Sequence, residues 1–418
     1  MKNESYLPKG FHYLSREAFQ VKNSILEIFS RLSYNLFTEL VEFPPVSFYR
    51  TFEKGADTIG EKVYYFNDKK ERKLILTPDA QAHIYNYHIN NNEYDRNKRY
   101  SWLSPTFRYR NILSRHFYQI GYSSINYCKE NEVIELFLCT RQLINLCKQT
   151  TSAHIKITVY NPALILDIIY QILNDWSQTA LFYEKIRNLG PELSIGVIED
   201  AFSASKHKDH LLKLFSCKYN DVNSLYSLSE YDQCTCTLNF LSLFSGIKNI
   251  AFKIELQTLY CSEILSGIGF TFEINDHKIG DGGIYSSYAS KFNSKIKTAI
   301  SACTGVNAIT KHYNNYQNYY CVTILLKNYT SDILNCLNIS EGLSDMGFLT
   351  NVQPMTKTKR DSTPKGSWLL QLEQAERNAF DGNVSNQELS EYHTFKKQTC
   401  KEIVNIIKNL SIIKSNEF

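Results

Sequence analysis

The sequence lacks the long apolar runs and the nucleotide-binding motifs that identify many protein classes at once. It has no run of about 18 apolar residues, the length of a membrane-spanning helix. The first ten residues, MKNESYLPKG, lack the apolar core of a signal peptide. Neither a GxxxxGK[ST] phosphate loop nor a GxGxxG turn after a predicted strand is present. We therefore expect a cytoplasmic protein with no membrane partner and without a conventional nucleotide fold.

Neither the small net charge nor the scattered cysteines assign the protein to a functional class. The net charge is +4 over 418 residues, which neither requires nor excludes an RNA partner. The 11 cysteines are scattered, and some lie in apolar runs, such as Cys139 in ELFLC and Cys321 in YYCVTILL. This pattern favours buried, reduced thiols over a disulfide framework. With 43% hydrophobic and 21% charged residues, the composition predicts a globular protein of two or three domains.

Hydrophobic periodicity divides the chain into segments of different type. Residues 15–34 have apolar positions at helical spacing, with Ser15 as a candidate cap. VYYFND and KLILTPD read as two strands joined by the charged turn DKKERK, and NEVIELFLCTRQLINLCKQ reads as a long helix. Residues 162 to about 245 are mostly helical in pattern. YYCVTILL, from 319, begins a separate C-terminal α/β domain.

The segment FRYRNILSRHFYQIGY, residues 107–122, places three arginines around a short loop between two predicted strands. On a strand, Arg108 and Arg110 point to one face, and Arg115 and Gln119 share a face as well. Guanidinium groups bind phosphate oxygens in a forked geometry, so such a hairpin suits a polyphosphate. A solvated hairpin with surface arginines remains the alternative.

The segment LTPDAQAHIYNYHI predicts the start of another helix. Thr77 suits the N-cap, Pro78 the first helical position, and Asp79 the first turn. Taken alone, Asp79 is a charge favoured by the helix dipole.

Three other polar motifs carry less information. GDGG at 280–283 is typical of a turn, although it could also bring the backbone close to a ligand. His207 and His210 in KHKDH have helical spacing but no evident third ligand, so a solvated helix face is expected. CTC at 234–236 lacks the partner pair of a zinc site. We therefore expect no metal bound by cysteines or histidines.

Taken in order, these segments resemble the histidyl branch of the class II aminoacyl-tRNA synthetases. The family's N-terminal lead-in resembles LPKGFHYLSREA. Its first motif and the amino-acid-binding segment after it resemble LFTELVEFPPVSFYRTFEKGADTIGEKVYYFNDKKERKLILTPDAQA. FRYRNILSRHFYQIGY resembles the second motif, GDGGIYSSY the glycine-rich pocket motif, and SACTGVNAITKHY stands where the third motif belongs. The resemblance covers nearly the whole chain except about 165–245.

The resemblance implies an α+β fold, with an antiparallel class II synthetase sheet flanked by helices. A catalytic core would span 1–318 with a helical insertion at about 165–245, and an anticodon-binding-like α/β domain would span 319–418. It further implies ATP and Mg²⁺ as cofactors, an amino acid or related small acid as substrate, a tRNA or carrier as acceptor, and a homodimer.

The resemblance also implies roles for individual residues. Arg108 and Arg115 would be catalytic and would bind ATP, together with Arg110 and Lys311. The residues expected to bind the substrate are Asp79, Tyr118, Gln119, Glu273, Asp281, Gly282, Gly283 and Tyr285.

The departures from the family pattern concern the same motifs. Arg110 replaces the glutamate that normally follows the motif arginine, and the loop is about three residues short. Thr77, Ile284 and Lys311 stand where the family has arginines, and YCSEILSGIGFTFEI contains no arginine at all. Since unpaired polar groups decide such selectivity, we expect an adenylate-forming ligase for an amino acid other than histidine. The alternative is a catalytically inactive regulatory or binding paralogue, and histidine charging itself is the least favoured interpretation.

Overall fold

The computed structural model divides into two compact units. One comprises Met1–Ile25 with Leu40–Asn314, and the other comprises Leu26–Glu39 with Asn315–Phe418. The division into domains at 318 and 319 stays a prediction. The structure describes residues 7–36, 38–53, 63–93, 95–109, 114–151, 153–189, 191–216, 219–259, 264–312, 320–326, 338–343, 348–354, 368–376, 379–386, 391–399 and 401–407. Arg110 and Cys321's side chain lie outside this description.

The helices and strands are numbered here in chain order. The helices are α1 (Arg16–Asn35), α2 (Gln81–Asn90), α3 (Glu132–Thr150), α4 (Pro162–Leu173), α5 (Trp176–Arg187), α6 (Pro191–Ala201), α7 (Lys206–Phe215), α8 (Val222–Leu225), α9 (Asp232–Ser242), α10 (Ser286–Ser290), α11 (Val306–Thr310), α12 (338–343) and α13 (401–407). The strands are β1 (Glu39–Glu42), β2 (Val46–Phe48), β3 (Tyr65–Asn67), β4 (Lys73–Leu76), β5 (Lys98–Phe107), β6 (His116–Ile125), β7 (Ile155–Tyr160), β8 (Ile250–Ile254), β9 (Gly269–Ile274), β10 (His277–Ile284), β11 (Ala299–Gly305), β12 (Tyr320–Leu326), β13 (Phe348–Pro354), β14 (Trp368–Glu376), β15 (Ala379–Asn386) and β16 (Glu391–Thr399).

A large, mainly antiparallel sheet forms the centre of the first unit. Among the described residues, eight strands lie in the order β1-β5-β6-β11-β10-β9-β7-β8. The pairs β5/β6, β6/β11, β11/β10, β10/β9 and β9/β7 are antiparallel, and β7/β8 is parallel. The predicted antiparallel sheet flanked by helices is thus confirmed. The predicted helical insertion corresponds to α4–α9, which connects β7 to β8.

Helix α3 covers one face of this sheet and is joined to it by a buried ion pair. Arg99 donates from Nε and Nη2 to the two carboxylate oxygens of Glu135, at 2.8 and 2.7 Å. Ser124, which lies directly opposite Arg99 in the β5/β6 pair, donates to the same carboxylate at 2.7 Å. Both charged side chains are almost fully buried. The pair therefore connects the helix to two adjacent strands at one point.

The glycines of GDGG lie within a central strand and not in a turn. Gly280, Gly282 and Gly283 belong to β10, which is paired on both sides, and their φ angles are not in the left-handed region. A Cβ at Gly280 would lie 2.2 Å from the Cys303 carbonyl oxygen, and one at Gly283 would lie 2.4 Å from Leu265 Cδ2. The predicted turn is therefore wrong, because these glycines provide space for neighbouring atoms and not positive φ angles.

Smaller elements flank the large sheet. β2, β4 and β3 form a three-stranded antiparallel sheet in that order, in which the turn DKKERK joins β3 to β4 as predicted. Ser15 accepts a hydrogen bond from the Ala18 amide at 3.3 Å, which confirms its place at the start of α1. None of the described helices has both the length and the hydropathy that crossing a membrane requires.

The second unit contains a mixed sheet. Its described strands lie in the order β13-β12-β14-β15-β16. β12 is parallel to both of its neighbours, whereas β14, β15 and β16 are mutually antiparallel. Val322 and Ile324 alternate into its core, and Gly342 of α12 lies close to Val404 of α13. This unit is an α/β arrangement, as the pattern from YYCVTILL onward predicts.

Replacing Gly280 with alanine should destabilise the protein because the new methyl group would collide with the Cys303 carbonyl. We expect a loss of about 1–3 kcal/mol in the free energy of unfolding. Gly196→Ala is the matched control, since a Cβ there meets no atom of the described residues within 4 Å and the residue lies inside α6. That control should gain about 0.5–1 kcal/mol. Equal stability of the two variants in urea unfolding would contradict this account of β10.

Removing one partner of the Arg99–Glu135 pair should leave a buried charge uncompensated. Glu135→Ala is expected to cost about 3–5 kcal/mol, whereas the double change Arg99→Met with Glu135→Leu should cost much less. Urea unfolding measures the loss of stability in the single and the double variant. The signal is the fluorescence of buried Trp102 in a background that carries Trp176→Phe and Trp368→Phe. Glu184→Ala removes the exposed partner of Arg187 and should change stability by less than about 0.5 kcal/mol. A loss no larger for Glu135→Ala than for this control would refute the interpretation.

Candidate active site

The turn between β4 and α2 positions the first carboxylate of the site. Thr77 is fully buried, and its hydroxyl donates to the Pro44 carbonyl at 2.8 Å. Helix α2 begins at Gln81, whose amide donates to Asp79 Oδ1 at 2.7 Å. The predicted helix start at Thr77 is therefore wrong, because the Thr77 hydroxyl is used by Pro44 and Asp79 provides the local hydrogen bond instead.

Arg108 forms an ion pair with Asp79 at the end of the β5/β6 hairpin. Its Nη2 donates to Asp79 Oδ2 at 3.1 Å, and its Nε donates to the Pro78 carbonyl at 2.8 Å. Both side chains are partly exposed, at 26% and 28%. Arg108 thus uses Nε and Nη2 within the described residues, and none of these residues takes a hydrogen bond from its Nη1.

Asp281 provides a second carboxylate, which enters the site from β10. It lies opposite Cys303 in the β10/β11 pair and forms an ion pair with Lys278 at 2.8 Å. Burial raises the pKa of Asp281, but Lys278 and Arg108 outweigh it and the net shift is downward. The pKa of Asp79 is raised, because burial and the neighbouring Asp281 outweigh the attraction of Arg108. The two acids thus differ in their affinity for a proton.

Gln119 and Cys303 form the polar floor beside these acids. Gln119 accepts a hydrogen bond from the Thr106 hydroxyl at 3.0 Å, and its amide nitrogen lies 4.0 Å from Cys303 Sγ. The Cys303 thiol donates to Asp281 Oδ1 at 3.4 Å. Burial, together with the two aspartates, raises the pKa of Cys303 well above its usual value. Cys303 is therefore a neutral thiol and not a nucleophilic thiolate.

Two tyrosines complete the surroundings of Asp79. Tyr85 donates to Gln81 Oε1 at 3.0 Å, and its ring lies 5.8 Å from that of Tyr288 in an edge-on contact. Burial raises the pKa of both phenols, and the negative charge of Asp79 adds to the shift. Both hydroxyls therefore stay protonated. Sequence reasoning missed Tyr85, Tyr288 and Cys303; only the one-turn spacing from Gln81 to Tyr85 could have indicated one of them.

Arg115 is buried under the N-terminal segment. Its amide donates to the Gly10 carbonyl at 2.7 Å, and its guanidinium lies 4.0 Å from the centre of the Tyr109 ring. Nη1 contacts the Tyr64 hydroxyl at 3.4 Å. A Cβ at Gly10, which has a φ of +85°, would lie 2.5 Å from Arg115 Cγ. Arg115 thus holds the lead-in segment against the hairpin.

The structure turns two predicted substrate-binding residues away from the face that carries Gln119 and Asp281, whereas a third, Glu273, lies on the Asp281 face beside a cation. Tyr118 alternates with Gln119 along β6, so its side chain lies on the opposite face, where the Lys22 ammonium lies 4.1 Å from its ring centre. Gly282 alternates with Asp281 in the same way. Glu273 forms an ion pair with Lys156 at 3.1 Å.

The other four predicted residues are Gly283, Tyr285, Lys311 and Arg110, of which the structure describes the first three. Gly283 is packed beneath Leu265, and Tyr285 is buried, with its amide donating to the Ala299 carbonyl at 2.7 Å. Lys311 is exposed at the end of α11. Arg110 lies outside the described residues. The structure therefore brings together Arg108, Asp79, Gln119 and Asp281.

Comparison with known proteins agrees with this architecture. No family model matches the sequence. The histidine–tRNA ligase of Mesomycoplasma hyopneumoniae strain J is 21% identical over 375 residues, which covers 84% of each chain. The chain is a distant homologue of the histidine–tRNA ligases.

Solved structures show the same fold. A protein of Bacillus halodurans described as an ATP phosphoribosyltransferase regulatory subunit/histidyl-tRNA synthetase superimposes with a TM-score of 0.61, at 14% identity, over 88% of this chain and 97% of its own. The histidyl-tRNA synthetase from Nostoc sp. PCC 7120 gives 0.55 at 14% identity, over 97% and 99%. The predicted class II synthetase fold is thus confirmed.

Buried His83, beside the Asp79 turn, should make stability depend on pH. Its Nε2 lies 3.1 Å from the Thr77 hydroxyl, and its ring stacks on Phe43. Burial lowers the pKa of His83 from 6.5 to about 4. Since the unfolded chain binds the proton more readily, this contribution is full above pH 6.5 and is lost as the pH falls towards 4. The loss can reach about 3 kcal/mol.

The variant His83→Gln tests this dependence. Glutamine keeps a donor for Thr77 but does not titrate, so its stability should fall less than that of the wild type between pH 7 and 4. Urea midpoints of both proteins at a series of pH values measure the difference in stability between them. The contributions of the other titrating groups cancel, because both proteins contain them. Parallel curves for the two proteins would contradict the expected pKa of His83.

Proposed function

We propose that this chain is an ATP-dependent ligase that activates an α-amino acid other than histidine as its adenylate. The observation that carries the proposal is the Arg108–Asp79 ion pair, which lies beside Gln119 on a class II synthetase sheet. Asp79 offers an anion for the ammonium group of an amino acid, and Arg108, 3.1 Å away, offers a cation for a phosphate oxygen of ATP. Homology to histidine–tRNA ligases supports the same class of reaction.

In the proposed reaction, Asp79 binds the α-ammonium group and Arg108 a phosphate oxygen. A carboxylate oxygen of the amino acid attacks the α-phosphorus of ATP. The new bond joins that oxygen to phosphorus, and the bond to the pyrophosphate oxygen breaks. Arg108 stabilises the negative charge that develops at phosphorus, because its guanidinium is a cation and none of the described residues takes a hydrogen bond from its Nη1. Mg²⁺, expected with ATP in this family, would neutralise the phosphates.

The preference for an amino acid other than histidine rests on missing arginines. The resemblance leads us to expect arginines at positions where this sequence has other residues. Residues 260–274 contain no arginine, and Ile284 stands at another expected arginine position. Ile284 is buried and alternates with Gly283, so its side chain lies on the face opposite Asp281. It therefore does not line the pocket as an apolar contact. Leu265, packed over Gly283, is an apolar residue on the Asp281 face.

The acceptor and the assembly are proposed on the homology alone. The relatives are described as histidine–tRNA ligases, which favours a tRNA as the acceptor of the activated acid, with a carrier protein or a small amine as the alternatives. The family resemblance also favours a homodimer.

ATP–pyrophosphate exchange across a panel of amino acids tests the enzymatic proposal. We expect exchange with at least one acid other than histidine. Arg108→Ala should reduce exchange by at least about 100-fold, because a charge-stabilising donor is lost. Asp79→Asn should mainly raise the KM for the amino acid, since it removes the anion that binds the ammonium group. Absence of exchange with every amino acid would refute the ligase.

Arg187→Ala provides a matched control. Arg187 contacts Glu184 in the helical insertion at 3.5 Å, outside the candidate site. Its replacement removes one arginine without touching the Arg108–Asp79 pair, and exchange should stay at the wild-type level. A comparable loss in this control would indicate that folding, and not phosphate contact, explains the Arg108 result.

A binding paralogue without catalysis is the second candidate. The two hairpin arginines that the structure describes already have protein partners, Asp79 for Arg108 and the Tyr109 ring for Arg115. The Bacillus halodurans neighbour is itself described as a regulatory subunit or a synthetase. A binding protein would be stabilised by its amino acid in a thermal unfolding assay, without exchange and without a shift from ATP. A shift with ATP that Arg108→Ala abolishes would argue against this candidate.

A further inference from the structure

A second cluster of titratable side chains lies in the helical insertion, where α7 meets the turn before α9. His207 and His210 are one helical turn apart on α7, and Glu230 and Tyr231 immediately precede α9. His210 is buried, at 7% exposure, and His207 is half-buried. The expected solvated helix face is therefore absent at His210.

The nitrogen and oxygen atoms of these four side chains lie close together. The Tyr231 hydroxyl lies 2.6 Å from His207 Nδ1 and 3.0 Å from His210 Nδ1. Glu230 Oε1 lies 3.4 Å from His210 Nδ1. His207, His210 and Glu230 each have one potential ligand atom within 4.8 Å of those of the other two. Glu230 thus supplies the third ligand that the motif KHKDH lacks by itself.

Hydrogen bonds alone can satisfy this cluster in more than one arrangement of the ring protons. The Tyr231 hydroxyl has a single proton, so it can donate to only one of the two Nδ1 atoms. The other histidine can carry its proton on Nδ1 and donate to the phenol oxygen or, in the case of His210, to Glu230 Oε1. A divalent cation, in contrast, accepts a lone pair from both rings at once.

Lys206 orients the carboxylate without using both of its oxygens. Its ammonium lies 2.8 Å from Glu230 Oε2, whereas Oε1 faces His210. The hydrogen bond from Lys206 lowers the pKa of Glu230, so the carboxylate is ionised at neutral pH. A metal-binding carboxylate held by a second group in this way is a common arrangement.

We propose that His207, His210 and Glu230 bind one divalent transition metal of the zinc type, with Tyr231 or water as the fourth ligand. Two imidazole nitrogens and one carboxylate oxygen suit Zn²⁺ or Co²⁺, whereas Mg²⁺ and Ca²⁺ prefer all-oxygen sites. The site joins α7 to the turn before α9, so the metal stabilises the helical insertion. This inference is independent of the proposed ligase activity.

Cobalt titration of the full-length protein tests the site. The chain is produced without a histidine tag and freed of metal by a chelator, and Co²⁺ binding is followed by visible absorption. We expect one Co²⁺ per chain with strong bands of tetrahedral type and no thiolate charge-transfer band, and displacement by Zn²⁺. His207→Gln and Glu230→Gln should each weaken binding by at least about tenfold. Zn²⁺ should also raise the Tm of the wild type more than that of either variant.

Two control variants separate this site from other ligands. His154→Gln removes an exposed histidine outside the cluster, and Cys236→Ser removes a thiol of CTC on α9. Both should bind Co²⁺ like the wild type. Circular dichroism establishes whether each variant is folded. The proposal is overturned if folded wild type shows no saturable binding, if His207→Gln and Glu230→Gln bind as tightly as the wild type, or if binding is lost in Cys236→Ser.

Discussion

The candidate site depends on the alignment of β5 with β6, and the buried Arg99–Glu135 pair fixes that alignment. Arg99 and Ser124 face each other across the two strands and contact the same carboxylate. A slip of one residue would turn one of them to the opposite face and leave Glu135 partly unpaired inside the protein. On the other face, the same slip would remove Gln119 from the floor beside Asp281. Helix α3 thus determines the register of residues that it does not contact.

Electrostatic compensation dominates the candidate site. Asp79 and Asp281 are each matched to a cation, Arg108 and Lys278 respectively, so the described cluster is close to neutral in charge. The opposite pKa shifts of the two acids show that this matching is unequal, with Asp281 the more strongly stabilised anion. A zwitterionic ligand would therefore exchange one set of ion pairs for another. Such a site favours ligands that carry both signs of charge.

Local patterns in the sequence predict most of the elements, whereas contacts between distant segments are not predictable from them. The strand pair around DKKERK, the hairpin that carries Arg108 and helix α3 follow from alternation, turn residues and helical spacing. β10 does not, because its glycines are required by Cys303 and Leu265, which belong to other segments. For the same reason, Cys303 enters the site through strand register, and Glu230 joins His207 through the packing of the insertion.

The glycines of β10 also limit how this site can diversify. A side chain at Gly280 or Gly282 would collide with the backbone of β11, so these positions cannot be used to alter a pocket without moving a central strand. Gln119 and Cys303 project from the strands beside Asp281, so substitutions there alter the site without placing a Cβ against the β11 backbone. The sheet thus constrains evolutionary change to the residues that cover or project from it, while its backbone stays the same.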